Sequence, residues 1–145
     1  MIRKAQNNDL CRIAEILVYA KRLNYRSIFN NDLVSFNEIT VLSTIEEMKP
    51  YINEIYLYDD GIVKGLLQLY EDEIVKLYVE PFFYNQNIGG QLIEFAKENG
   101  GKRLWALEKN IRAISFYNRH DFKLNGNRKP EEGTLEYLVE LTLSE

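Results

Sequence analysis

The chain is poor in the residues that build metal centres and covalent staples. Its 145 residues include one cysteine, one histidine and three prolines. A single cysteine, Cys11, excludes an internal disulfide and any cysteine-based metal cluster. With no histidine near it in sequence, Cys11 is expected to be a small residue on or beside the apolar face of a helix, not a nucleophile. His120 has neither partner histidines nor spaced carboxylates, so no metal is expected. Positive charge is also scarce, with 18 Lys and Arg against 22 Asp and Glu and a net charge of −4. Nucleic-acid-binding domains are usually basic, so no nucleic-acid partner is expected. No apolar run is long enough to cross a bilayer. Residues 1–6 lack the apolar core of a signal peptide. The expectation is therefore a cytoplasmic protein with no membrane partner. Internal repeats, low-complexity tracts and linkers are absent as well.

What remains is ordinary globular material, 46% hydrophobic and 28% charged. That length and composition suit one domain over residues 1–145 with a true core. The most informative stretch is 73–97. Ile74, Val75, Leu77, Tyr78 and Val79 carry the β-branched and aromatic weight of a strand. Pro81 ends it, since proline offers no N–H to a ladder. After Tyr84-Asn85-Gln86-Asn87 the period changes, and Ile88, Leu92, Phe95 and Ala96 recur at helical spacing. Gly100 and Gly101 stand where a helix C-terminus wants a left-handed residue. The first turn of such a helix leaves N–H groups without intrahelical partners and carries partial positive charge. Gly89 and Gly90 allow close approach, and Asn87 tolerates positive φ. The turn suits a phosphate or pyrophosphate, although an ordinary strand-to-helix turn has similar spacing.

Around it the chain reads as follows. A short strand at 2–5 precedes a helix capped by Asn8 or Asp9, with Leu10, Ile13, Ala14, Leu17 and Val18 on one face. Turn formers at 24–32 follow. A helical region at 34–49 carries a capping box at 43–46 and is closed by Pro50. Strands at 54–58 and 62–70 flank the hairpin signal Asp59-Asp60-Gly61. A buried strand at 102–108 leads to Asn110, which caps a helix at 111–119. A polar loop at 125–133 precedes a last strand at 134–143, with Leu135, Tyr137, Val139, Leu141 and Leu143 on one face. The order is β-α-α-β-β-β-α-β-α-β-β. That order makes an α/β (α+β) fold with a mixed sheet and helices on its faces.

Two segments resemble motifs of the GNAT superfamily of N-acetyltransferases. The family's acetyl-CoA motif, Gln/Arg-x-x-Gly-x-Gly/Ala after a strand, falls on residues 84–89. Here Tyr84 replaces the Gln/Arg, Asn87 replaces the first glycine, and Gly89 is kept. The next motif falls on Asn110, Ala113, Phe116-Tyr117 and Asp121-Phe122, with Asp121 in place of glycine. The resemblance implies a GNAT-like mixed, mostly antiparallel sheet with helices on both faces. It also implies acetyl-CoA (coenzyme A) as cofactor. Tyr84, Asn85, Gln86, Asn87, Ile88, Gly89 and Gly90 would bind it, with the pyrophosphate on the backbone N–H groups of Gln86 to Gly90. The pantetheine arm would pair with the backbone of Leu77, Tyr78 and Val79, where the family's strand splays from its neighbour. Asn110 would cap a helix through its carbonyl and reach the cofactor through its amide.

Acetyl transfer to an amine requires a held thioester, loss of the ammonium proton, and help for the departing thiolate. The resemblance gives the last task to Tyr117, whose phenol is a hydrogen-bond donor. The alternative is a core aromatic with its hydroxyl satisfied. By the same resemblance Glu73, at the start of the strand that Pro81 ends, is the candidate base, with Glu71, Asp72 and Glu80 as competitors and a solvated strand-end carboxylate as the bland alternative. By fold analogy, Tyr25, Arg26 and Phe29, in a loop after the first helix, line the acceptor pocket. For His120 a helix-terminal structural role is expected.

The function expected is acetyl transfer to a primary amine, on a small molecule or peptide, by direct attack in a ternary complex. The alternative is a non-catalytic acyl-CoA-binding or regulatory module, suggested by Tyr84 and Asn87. The acidic balance suits a cationic amine. The alternating last strand offers an edge to a second subunit.

Overall fold

The computed structural model describes residues 1–29, 36 and 39–144, with backbone only for 25–29. Among the described residues, seven strands and four α-helices follow the order expected. They are β1 (Ile2–Lys4), α1 (Leu10–Phe29), α2 (Val41–Met48), β2 (Ile55–Asp59), β3 (Val63–Tyr70), β4 (Glu73–Val79), α3 (Ile88–Glu98), β5 (Arg103–Leu107), α4 (Ile111–Arg119), β6 (Phe122–Pro130) and β7 (Tyr137–Leu143). They form one sheet in the order β1-β2-β3-β4-β5-β7-β6. Every pairing is antiparallel except β4 with β5.

The helices cover both faces of the sheet. On one, Ile88, Leu92, Ile93 and Ala96 of α3 pack with Leu67, Ile74, Leu104, Phe122 and Leu141, and Ile114, Phe116 and Tyr117 of α4 join them. On the other, Leu10, Ile13, Ile16 and Leu17 of α1 and Met48 beside them pack on Ile55, Leu57 and Leu66. Gly65 sets how closely α3 can approach β3. A Cβ there would stand 3.0 Å from Leu92 Cδ1 and 3.1 Å from the Tyr78 carbonyl. The end of α3 is closed by Gly100 at φ +92°. Its N–H reaches Lys97 O at 3.3 Å and that of Gly101 reaches Ala96 O at 2.8 Å, the paired closure of a Schellman motif.

The structure corrects several local expectations. The cap of α2 is Thr40, whose Oγ1 accepts from Ser43 N–H at 3.2 Å. Ser43 therefore lies inside the first turn and answers the cap; it does not begin a box of its own. Of the region expected to be helical before it, residues 34, 35, 37 and 38 lie outside the described residues. Pro50 does not end the helical path, because it opens a 3-10 segment, Lys49–Glu54, at a position where its missing N–H costs nothing. Helix α1 runs on to Phe29. Tyr25, Arg26 and Phe29 thus belong to its last turns and not to a loop, while their side chains lie outside the described residues. Cys11 is exposed, turned away from the core stripe.

The segment expected to be a polar loop is mostly strand. Residues 122–130 form β6, the outer strand, whose side chains after Phe122 are exposed. An edge strand with water on both faces has no apolar alternation to read. A bulge between Leu124 and Arg128 folds residues 125–127 around Glu140. Strand β7 begins only at Tyr137, and Leu135 is 96% exposed. Nor is β7 an edge, since it lies between β5 and β6, so the free edge on that side of the sheet belongs to β6.

Candidate functional site

Strands β4 and β5 are paired for only two residues. Glu73 faces Arg103 and Ile74 faces Leu104. Beyond them β4 continues to Val79 and β5 to Leu107 without a shared ladder. The cause lies on the other side of β4. Against β3, Gln68 pairs with Lys76 while Leu69 pairs with Ile74, so Val75 is an extra residue, a β-bulge. Bulges bend a strand and increase its local twist. The bulge also puts Ile74, Leu77 and Val79 on the α3/α4 face and leaves Tyr78 packed toward α1. The edge of β4 that faces β5 is consequently without a ladder partner from Val75 onward.

A cleft of about 720 Å³ opens there and runs through the sheet. Its α3/α4 side is bounded by residues 83–85 and 87–90 and by Asn110, Ala113, Phe116 and Tyr117. Asn87 sits at φ 59°, ψ 23°, in the left-handed region, and makes no side-chain cap. The first main-chain bond of α3 runs from Gln91 N–H to Asn87 O at 3.1 Å. The N–H groups of Ile88, Gly89 and Gly90 precede it and are the helix's uncapped donors. A Cβ at Gly89 would meet Phe116 Cζ at 3.3 Å, and one at Gly90 would meet Asn87 Oδ1 at 2.1 Å. A side chain at Gly89 would thus press on the Phe116 ring, and one at Gly90 would displace the Asn87 side chain. Tyr84 lies under the guanidinium of Arg112, 4.4 Å from its ring centroid. A cation therefore stands at the turn although residue 84 itself is neutral. These features fit a coenzyme A pyrophosphate at the α3 terminus and an extended arm along β4.

Asn110 caps α4 as expected, its Oδ1 accepting from Ala113 N–H at 3.1 Å. Tyr117 borders the cleft with its ring edge-on to Phe116 at 5.2 Å and to Phe122 at 6.3 Å. Of the expected cofactor residues, all but Gln86 line the cleft together. Glu73 does not: it stands at the closed end of the splay, its carboxylate 3.4 Å from Arg103 Nη1. His120 ends α4, with Nδ1 2.9 Å from Glu94 Oε2, and ties that helix to α3.

The α1/α2 side of the cleft holds residues that sequence reasoning missed. Lys21 and Asn24 of α1, Glu47 of α2, Lys76 of β4 and Glu131 after β6 all line it. Burial lowers the Lys21 pKa, and the nearby charge of Lys76 lowers it further. Glu131 is raised by burial, against the pull of Lys21, Lys76 and Lys129. Four distant segments supply these side chains, so no local motif could have marked them. Among the described residues no group of three His, Cys, Asp or Glu could hold a metal ion. No described helix is long and apolar enough to cross a membrane.

The sequence profile of the acetyltransferase (GNAT) domain matches residues 52–124, half of the chain. No curated protein matches at the sequence level. Among solved structures, an N-acetyltransferase from Staphylococcus aureus Mu50 superposes with a TM-score of 0.77 at 15% identity, over 99% of this chain and 100% of the other. Apo-form YjaB from Escherichia coli gives 0.76 at 17%, over 98% and 95%. PaiA N-acetyltransferase from Thermoplasma acidophilum, solved in complex with coenzyme A, gives 0.66 at 20%, over 98% of both chains.

Proposed function

Because the chain belongs to the GNAT acetyltransferase family, we propose that it moves an acetyl group from acetyl-CoA to a primary amine by direct attack within a ternary complex. The observation that carries this is the single cleft in which the splayed edge of β4, the uncapped terminus of α3 and the Tyr117 ring converge. The N–H groups of residues 88–90 hold the pyrophosphate, Arg112 adds charge at the turn, and the free edge of β4 takes the arm. Acetyl-CoA supplies an activated acyl group as a thioester. The chain supplies the rest.

Tyr117 offers its hydroxyl to the sulfur. The reference pKa of a phenol is about 10, above that of a thiol at about 8.5. Donation of a hydrogen bond therefore suits it better than full proton transfer. The proton of the ammonium goes to a carboxylate, for which there are two candidates. Glu73 has the expected position at the start of β4 but is engaged by Arg103. Glu131 lines the cleft, and its raised affinity for a proton is what a base near neutral pH needs. The second observation favours Glu131.

Titration calorimetry with coenzyme A and acetyl-CoA, together with thiol release in the presence of an amine panel, tests the proposal. Binding with amine-dependent release is expected. Binding without release for any amine would leave an acyl-CoA-binding module. No binding would remove both.

A further inference from the structure

We infer that the acceptor amine also carries a carboxylate, and that Lys21 and Lys76 grip it on the α1/α2 side of the cleft. This rests on the acetyl transfer proposed above. Ionised side chains drawn out of water are normally paired, and this chain follows the rule elsewhere. Lys64 pairs with Asp60, Lys97 with Glu94 and Asp121, and Arg12 with Glu80. Among the described residues, Lys21 and Lys76 depart from it. Both are only partly exposed, they come from separate elements, and they converge on one cavity. Neither forms an ion pair with a described residue. The charge of Lys76 disfavours the ammonium of Lys21, an arrangement that an arriving anion would relieve.

The surrounding charges narrow the class of anion. The titratable groups facing the pair are Glu47 from α2 and Glu131 after β6, with Lys129 also acting on Glu131. On the α1/α2 side of the lining, two lysines and two glutamates sum to zero. A dianionic phosphate would be repelled by the glutamates, and a simple polyamine by the lysines. A zwitterion satisfies both signs, with its carboxylate at the lysines and its ammonium toward Glu131. The net charge of −4 by itself suits a cationic amine, but the charges on the α1/α2 side of the cleft are balanced. An amino acid, or a larger amine bearing a carboxylate at similar reach, is the class that fits.

The test compares matched acceptors on the wild-type protein at saturating acetyl-CoA, using thiol release. The standard amino acids are set against their α-amides, which keep the side chain and the amine but lack the carboxylate. An amide's amine gives up its proton more easily, so reactivity alone would favour the amide. The expected result is a kcat/KM at least about tenfold higher for one or more free amino acids. Lys76→Met and Lys21→Met should each lower that value, mainly through KM, about tenfold more than they change the amide's, because any effect passed through the base Glu131 is common to both acceptors. Equal or better turnover of the amides, or equal losses on both acceptors in the variants, would overturn the inference while leaving acetyl transfer intact. Intact coenzyme A binding with no turnover of any amine would instead remove the transferase proposal, and this inference with it. The wild-type comparison decides the matter even if a lysine variant folds poorly.

Discussion

The two sides of β4 are built on different principles. Toward α3 and α4 the cleft is made of backbone: uncapped N–H groups at residues 88–90, a strand edge without a partner, and two glycines that keep side chains away. Toward α1 and α2 it is made of side chains, Lys21, Asn24, Glu47, Lys76 and Glu131, brought from four elements. A backbone surface recognises what every cofactor molecule shares and tolerates substitution at Tyr84 and Asn87, since any residue but proline supplies the N–H. A side-chain surface can discriminate among acceptors, and it can change without disturbing the first.

The largest effect that separates the two sides concerns the base. Glu131→Gln should reduce kcat/KM at neutral pH by about 10²–10⁴-fold, the usual range for a general base. The deficit should shrink as pH rises and the amine loses its own proton. Glu73→Gln should cost much less, because Glu73 pairs with Arg103 at the closed end of the splay. A reversed ranking would return the role to Glu73. Next comes Tyr117→Phe. The ring contacts with Phe116 and Phe122 remain, so coenzyme A affinity should hold while kcat falls about tenfold, the worth of one hydrogen bond of about 0.5–1.5 kcal/mol. A fall of a hundredfold or more would make the phenol a proton donor, and no fall would make it a core aromatic.

On the backbone-built side, Gly89→Val should weaken coenzyme A binding about five- to tenfold by calorimetry. Its Cβ would press on Phe116, 3.3 Å away, in the turn that bears the N–H donors. Gly100→Ala is the control. It strains a left-handed residue at φ +92° at the far end of the same helix, so it should lower the melting temperature and spare affinity. Loss of affinity in both variants would mean that helix stability, not access, sets binding.

This contrast also explains what could be seen without coordinates. The strand at 73–79, the turn at 84–87 and the helices at 88–98 and 111–119 lie in contiguous segments whose periodicity and caps are local, and they were legible together with the element order. The α3/α4 side of the cleft was legible for the same reason. The α1/α2 side was not, because Lys21, Lys76 and Glu131 are ordinary charged residues until the fold assembles them. The start of α2 was misjudged because Thr40 and Ser43 cap it reciprocally, while the Ser43–Glu46 spacing fits the same rule. Strand β6 read as loop because an exposed edge hides its period, and its bulge inserts Asn-Gly-Asn where a turn would be expected.

The smallest predicted effect marks off the closed end of the splay, where charge serves the fold. Glu140 on β7 is only 8% exposed. It accepts hydrogen bonds from Asn125 Nδ2 at 2.7 Å and Asn127 Nδ2 at 2.9 Å, with Arg103 Nη1 3.8 Å away. Those two amides, then Arg103 and Lys129, hold its pKa below the ordinary glutamate value. A carboxylate depressed in the folded state contributes stability that is complete above its unfolded pKa. That contribution is lost as pH falls through the folded one. Wild-type stability should therefore decline in that acid window. Glu140→Gln keeps an amide oxygen for one asparagine and removes the titration. It should cost about 0.5–1.5 kcal/mol at neutral pH and flatten the acid slope, measured by urea unfolding across that range. Coenzyme A affinity should not move, because Glu140 faces the β6 bulge and is not among the residues lining the cleft. A variant that kept the full acid slope would assign it to other carboxylates, with Asp9 beside Arg3 the next to test.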